Sequence, residues 1–188
     1  MIILLLVTLL TAGTDDVLQY DDGIPCWYSF SGVYRGTWFN LEDFYGPAVK
    51  GYVVDYAQIW FFHVYSDPWD TSEFIGEITD GTPVMPGTVF ASDSCVAVHQ
   101  SAVDIFPFAP CTTGVDFTVT EIPAFSANGS PSVCSDLSPS AEGRSFFVTP
   151  PGDINIWTYD YLIRVYGYPV YESSLTRITW ASLKSTFN

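Results

Sequence analysis

Basic side chains are scarce in this sequence: 6 Lys and Arg stand against 21 Asp and Glu over 188 residues, for a formal net charge of -15. The six cations, Arg35, Lys50, Arg144, Arg164, Arg177 and Lys184, are scattered. Phosphate backbones and anionic lipid surfaces both require clustered Lys and Arg, so neither a nucleic acid nor an anionic membrane is an expected partner. Histidine is nearly absent, with His63 and His99 far apart in an aromatic-rich context. No G-x-S-x-G elbow, H-E-x-x-H, Walker loop or G-x-G-x-x-G occurs, and no C-x-x-C pair is present. These absences leave little room for the common hydrolase, metalloprotease and nucleotide-binding chemistries. A carboxylate-pair glycosidase lacks any spacing that would name its residues, so a secreted hydrolase is a distant alternative. Hydrophobic content of 48% with 17% aromatics excludes a disordered chain.

Residues 1–13, MIILLLVTLLTAG, hold no charge, and their apolar run is too short to span a bilayer. They read as a secretory signal with cleavage near Gly13, after which no membrane association is expected. The four cysteines, Cys26, Cys95, Cys111 and Cys134, agree with an oxidising, secreted or cell-surface location. They predict two disulfides. Three connectivities are open, and Cys95 with Cys111 closes the shortest loop between neighbours.

The body, residues 14–168, reads as strands rich in Val, Ile, Thr, Tyr, Phe and Trp, bounded by Gly, Pro, Asp and Ser. The expected strands are 33–39, 51–65 with a break near Asp55, 74–79, 88–91, 95–105, 115–122, 144–149 and 159–166. Asp22-Gly23 and Asp80-Gly81 are turn signals. Strict alternation puts Val115, Phe117, Val119 and Glu121 on one face of their strand, and Ile163 and Val165 opposite Arg164 and Tyr166 on theirs. The fold class is therefore all-β: a single antiparallel sandwich, jelly-roll-like. In the tail, 169–188, Thr176, Trp180, Leu183 and Phe187 form a helical stripe, which predicts a short C-terminal helix or a sorting element.

Two groups of residues are candidates for binding. Asp15, Asp16, Asp21 and Asp22 crowd the start of the mature chain, and hard oxygen ligands on a turn suit calcium. Asp21 and Asp22 are the best ligands, with Asp15 and Asp16 assisting, although a solvated turn at the mature terminus is the commoner reading of such a cluster. No cofactor other than such a structural calcium is implied. Trp69 lies in a loop between Asp67 and Asp70, and Trp157 lies just before the last strand. Loop indoles flanked by carboxylates stack on sugar rings, although burial is the commoner fate of tryptophan. Asn128-Gly129-Ser130 is a glycosylation sequon weakened by Pro131.

Tyr20-Asp21-Asp22-Gly23, then residues 131–136 (PSVCSD), Pro139, Gly143-Arg144-Ser145 and residues 160–164 (DYLIR), resemble the opening and closing halves of β-sandwich accessory domains of secreted bacterial proteins. The resemblance covers roughly residues 19–168. It implies a sandwich fold and export, and it carries no agreed ligand or catalytic residue. Together these readings point to an exported, non-enzymatic binding or adhesion module for glycan or cell-surface polymer. The alternative is a structural subunit of an extracellular assembly, with self-association or another extracellular protein as its partner.

Overall fold

The computed structural model describes residues 16–28, 34–62, 71–123, 131–149 and 152–172. The expected signal at 1–13 and the expected helix in 169–188, from Ser173 onward, lie outside the described residues, as do Asp15, His63 and Asn128. Strands are numbered in chain order. One sheet runs β1 (Asp16–Leu18), β14 (Ile163–Tyr171), β4 (Val49–Phe61), β7 (Ser101–Ile105), with β8 (Cys111–Thr113) also on β4. A second runs β12 (Asp153–Ile156), β11 (Ser145–Thr149), β3 (Tyr34–Asn40), β9 (Asp116–Pro123), β5 (Glu73–Thr82), β6 (Met85–Val96). A smaller sheet runs β13 (Tyr159–Tyr161), β10 (Cys134–Pro139), β2 (Trp27–Tyr28). Every pairing is antiparallel. The protein is an all-β antiparallel sandwich; the helix among the described residues is the single turn α1 (Glu42–Tyr45).

Period-2 patterning builds the core. In β4, Tyr52, Val54, Ala57, Ile59 and Phe61 point inward and are buried. The step from Val54 to Ala57 is one residue too long for strict alternation. The excess sits at Asp55, where the register against β14 shifts between Tyr56 and Val54. That is the break expected near Asp55, realised as a bulge in a continuous strand. The apolar run from Ala57 becomes a central strand, flanked by β14 and β7.

The two large sheets meet through complementary shapes. Gly76 of β5 faces Ile105 of β7, whose side chain occupies the space a Cβ would need. Phe39, Phe117 and Tyr52 stack across the gap, with centroids 5.2 and 6.4 Å apart, and Tyr20 caps Phe39 at 5.7 Å. Burying each such large apolar side chain contributes about 1.5–3 kcal/mol. Glu121 falls on the inward face of β9 as the alternation requires. It is fully buried and meets Arg35, directly opposite on β3, at 3.5 Å. Burial pushes the Glu121 carboxyl up to about 8, with Arg35 opposing.

Two expectations are corrected. The run 95–105 is two strands, because residues 97–100 turn between β6 and β7 with Gln100 at φ 54. The run 159–166 changes sheets at Leu162: Tyr159–Tyr161 pair with β10, and the chain joins β4 from Ile163. Alternation therefore fails at Asp160, Tyr161 and Leu162, which are all buried. It resumes with Ile163 and Val165 inside.

Candidate functional site on the outer face of the five-stranded sheet

The outward residues of β14, β4 and β7 form two adjacent rows. In one, Arg164 lies opposite Gln58, and Gln58 opposite Asp104. In the next, Tyr166 lies opposite Tyr56, and Phe106 continues the row just past the end of β7. The Tyr56 and Tyr166 rings are stacked at 4.4 Å with an interplanar angle of 6°. Phe106 meets Tyr56 at 5.8 Å and is 56% exposed. The polar row is hydrogen-bonded to itself and to the rings. Gln58 Nε2 donates to Asp104 Oδ1 at 2.9 Å, and Tyr166 Oη donates to Gln58 Oε1 at 3.0 Å. These bonds hold the side chains in fixed rotamers, so the face is organised before any ligand arrives.

Arg164 ties this face to the N-terminal turn. Its Nη2 donates to Asp21 Oδ1 at 2.6 Å and its Nε to Asp21 Oδ2 at 3.2 Å. The bidentate Asp21 bond holds the guanidinium above the ordinary arginine range against the effect of burial. Asp21 also accepts from Gly23 N–H, turning the chain at φ +81. Asp22 accepts from the Ser138 hydroxyl, and its own N–H donates to Asp136 Oδ2. Asp136 in turn accepts from Asp160 N–H. The segments 20–23, 134–138 and 160–164 thus meet in one hydrogen-bonded knot. Burial pushes the Asp160 carboxyl up to about 6, helped by the charges of Asp136 and Glu142 and opposed by serine hydroxyls.

This geometry places the residues singled out for calcium. Asp21 is matched by Arg164, and Asp22 is engaged by Ile24 N–H and Ser138. Asp16 lies in β1, accepting from the Tyr45 hydroxyl through its side chain, and Asp15 is outside the described residues. Among the described residues, no group of three or more His, Cys, Asp or Glu side chains is arranged to hold a metal ion.

The loop holding Asp67, Trp69 and Asp70 lies outside the described residues. Trp157 is half-buried against the core, stacked on Tyr161 at 6.2 Å and 7°, with Phe147 and Tyr159 on its edges. Its indole is engaged in packing. The four cysteines expected to pair are unbridged in this structure. Burial raises the thiols of Cys95, Cys111 and Cys134, the last up to about 12. A thiol raised in this way is a slow nucleophile.

Sequence reasoning had put Arg164 and Tyr166 on one face but did not identify the site. The signal was the outward series Tyr56, Gln58, Trp60 in β4 beside Arg164, Tyr166, Tyr168 in β14. Both series mix polar and aromatic side chains, but only the cross-strand register joins them.

No family model matches the sequence, and no curated protein sequence matches it. Among solved structures the fold is similar to that of the clostridial cysteine protease Cwp84 after propeptide cleavage, with a TM-score of 0.57 at 8% identity. The match covers 83% of this chain and 40% of that chain. At that identity the likeness is one of fold alone.

Proposed function

We propose that the protein is an exported, non-enzymatic module that binds glycan or related cell-surface polymer through the outer face of the five-stranded sheet. The observation that carries this reading is the row Tyr166, Tyr56, Phe106 beside the row Arg164, Gln58, Asp104. A pyranose has an apolar C–H face and a rim of hydroxyls. Aromatic rings complement the first, and amide, carboxylate and guanidinium groups complement the second. The test is a glycan array probed with the full chain and with Tyr56→Ala and Trp69→Ala. Binding to at least one polysaccharide, lost in Tyr56→Ala with the fold retained, is the expected result. Binding unaffected by Tyr56→Ala but lost in Trp69→Ala would return the site to the 67–70 loop.

A second reading, a structural subunit of an extracellular assembly, is favoured by the β5–β6 hairpin. Val84 and Met85 are 70% and 71% exposed beside β6, an edge strand of its sheet. Sedimentation velocity separates the two readings: self-association abolished by Met85→Lys, with no glycan binding, supports the subunit.

A further inference from the structure

The cysteines differ in their surroundings in a way that selects one pairing. Cys95 is on β6 opposite Phe74 and hydrogen-bonds at the Gly76 backbone. Cys111 is on β8 opposite Val54 and lies within the field of Asp80. Gly76 and Asp80 are four residues apart on β5, a span of roughly 13 Å at about 3.3 Å per residue. Cys95 and Cys111, the pair that closes the shortest loop, lie on strands of different sheets and are unbridged.

Cys26 and Cys134 are in the opposite situation. Cys26 leads directly into β2, the two-residue edge strand paired with β10 through Tyr28 to Cys134 and Trp27 to Ser135. The Cys26 N–H donates to Ser135 O at 2.9 Å, so the backbone of one cysteine touches the residue next to the other. Both cysteines line one largely apolar cavity of about 330 Å³, together with Pro25, Trp60, Phe62 and Gln100. Cys26 is exposed at its mouth and Cys134 is buried in its wall. The buried Trp60 Nε1 has no hydrogen-bond partner among the described residues. The chain before Cys26 is exposed from Asp22 onward, and an edge strand of two residues can shift without disturbing the large sheets.

We infer that Cys26 and Cys134 form a redox-sensitive pair that closes this cavity with a disulfide on exposure to a low-molecular-weight disulfide such as oxidised glutathione. The Cys26 thiolate attacks one glutathione sulfur after its proton passes to solvent, and the first glutathione leaves as a thiolate. Cys134 Sγ then attacks Cys26 Sγ, giving its proton to solvent, and expels the second glutathione. The protein loses two protons and two electrons; glutathione disulfide gains both and becomes two thiols. The order follows from access, since only Cys26 is exposed. The second step is the slower one, because burial keeps Cys134 protonated. The bond would fasten the N-terminal segment to β10 and seal the cavity mouth.

The experiment is peptide mapping of the full chain after incubation with oxidised glutathione, quenching with acid and labelling of remaining thiols under denaturing conditions. The expected result is a cross-linked peptide pair carrying Cys26 and Cys134, two mass units lighter than the reduced pair, with Cys95 and Cys111 labelled. A transient glutathione adduct on Cys26 should precede it, and Cys26→Ser should leave Cys134 labelled. Any other pairing, a glutathione adduct persisting on Cys26 while Cys134 takes the label, or four labelled thiols overturns the inference.

Discussion

Each large sheet carries aromatic side chains on its outer face, but the two faces treat them differently. On the six-stranded sheet, the Trp38 ring lies under the Arg144 guanidinium, 4.1 Å from its centroid. Arg144 is itself clamped by both oxygens of Asp43, and the Trp38 indole N–H donates to Asp116 at 2.9 Å. That aromatic group already holds an intramolecular cation and an acceptor. On the five-stranded sheet, Tyr166, Tyr56 and Phe106 stack on one another, and the polar groups stand beside the rings. A ring capped by its own protein's cation offers a ligand little. A row of rings flanked by ordered polar groups offers an extended template. Outward aromatic residues alone therefore do not mark a site; what covers them does.

The largest expected effect removes the scaffold under both faces. Arg35→Ala leaves the Glu121 carboxyl buried without its cation, and losing one partner of a buried pair costs about 3–5 kcal/mol. Chemical denaturation should show that loss, and both faces should fail together. A destabilisation below about 1 kcal/mol would mean that the buried Arg35–Glu121 contact does not support the fold.

The comparison itself breaks on Tyr56→Ala against Trp38→Ala. With a polysaccharide identified, the first should weaken binding roughly tenfold, equivalent to about 1.4 kcal/mol. The second should lower thermal stability and leave affinity unchanged. Equal losses of affinity in both variants would erase the distinction between the faces.

A smaller effect concerns the knot that anchors Arg164. The Asp160 carboxyl is raised to about 6 from 3.8, so the folded protein holds a proton there that the unfolded chain has released. The associated stability is present below pH 3.8 and is lost as pH rises through about 6. Thermal melts across that window should show this component, and Asp160→Asn should flatten it. An unchanged slope in the variant would place the titration elsewhere.

The smallest effect is Arg144→Ala. Its pair with Asp43 leaves 14% and 25% of the two side chains exposed, so stability should fall by about 1 kcal/mol. Uncovering Trp38 sharpens the comparison: tryptophan fluorescence should become more accessible to an aqueous quencher. No change in quenching would mean that the cation is not what shields the indole.

Several of these features were legible in the chain itself. The inward series Phe117, Val119, Glu121 and the pair Ile163, Val165 follow from a period of two. So does the central position of the strand beginning at Ala57. The break near Asp55 was visible because the apolar rhythm slips there by one residue. Other features were hidden. Strands β1, β2, β8, β10 and β12 are short or polar and have no rhythm to detect. Trp157 lies in a loop, as its place between strands suggested, but its stacking on Tyr161 has no local signal. The bond from Arg164 to Asp21 of the N-terminal turn joins residues 143 apart in sequence.

Composition and alternation by themselves determined that the chain folds as an antiparallel sandwich, since the direction of each side chain on a strand depends only on its immediate neighbours. Tertiary structure alone decided which outward residues share a row and which acid meets which cation. Those outcomes depend on cross-strand register and on the order of strands in each sheet. They are contacts between residues as far apart as Tyr56 and Tyr166, and no local pattern encodes them.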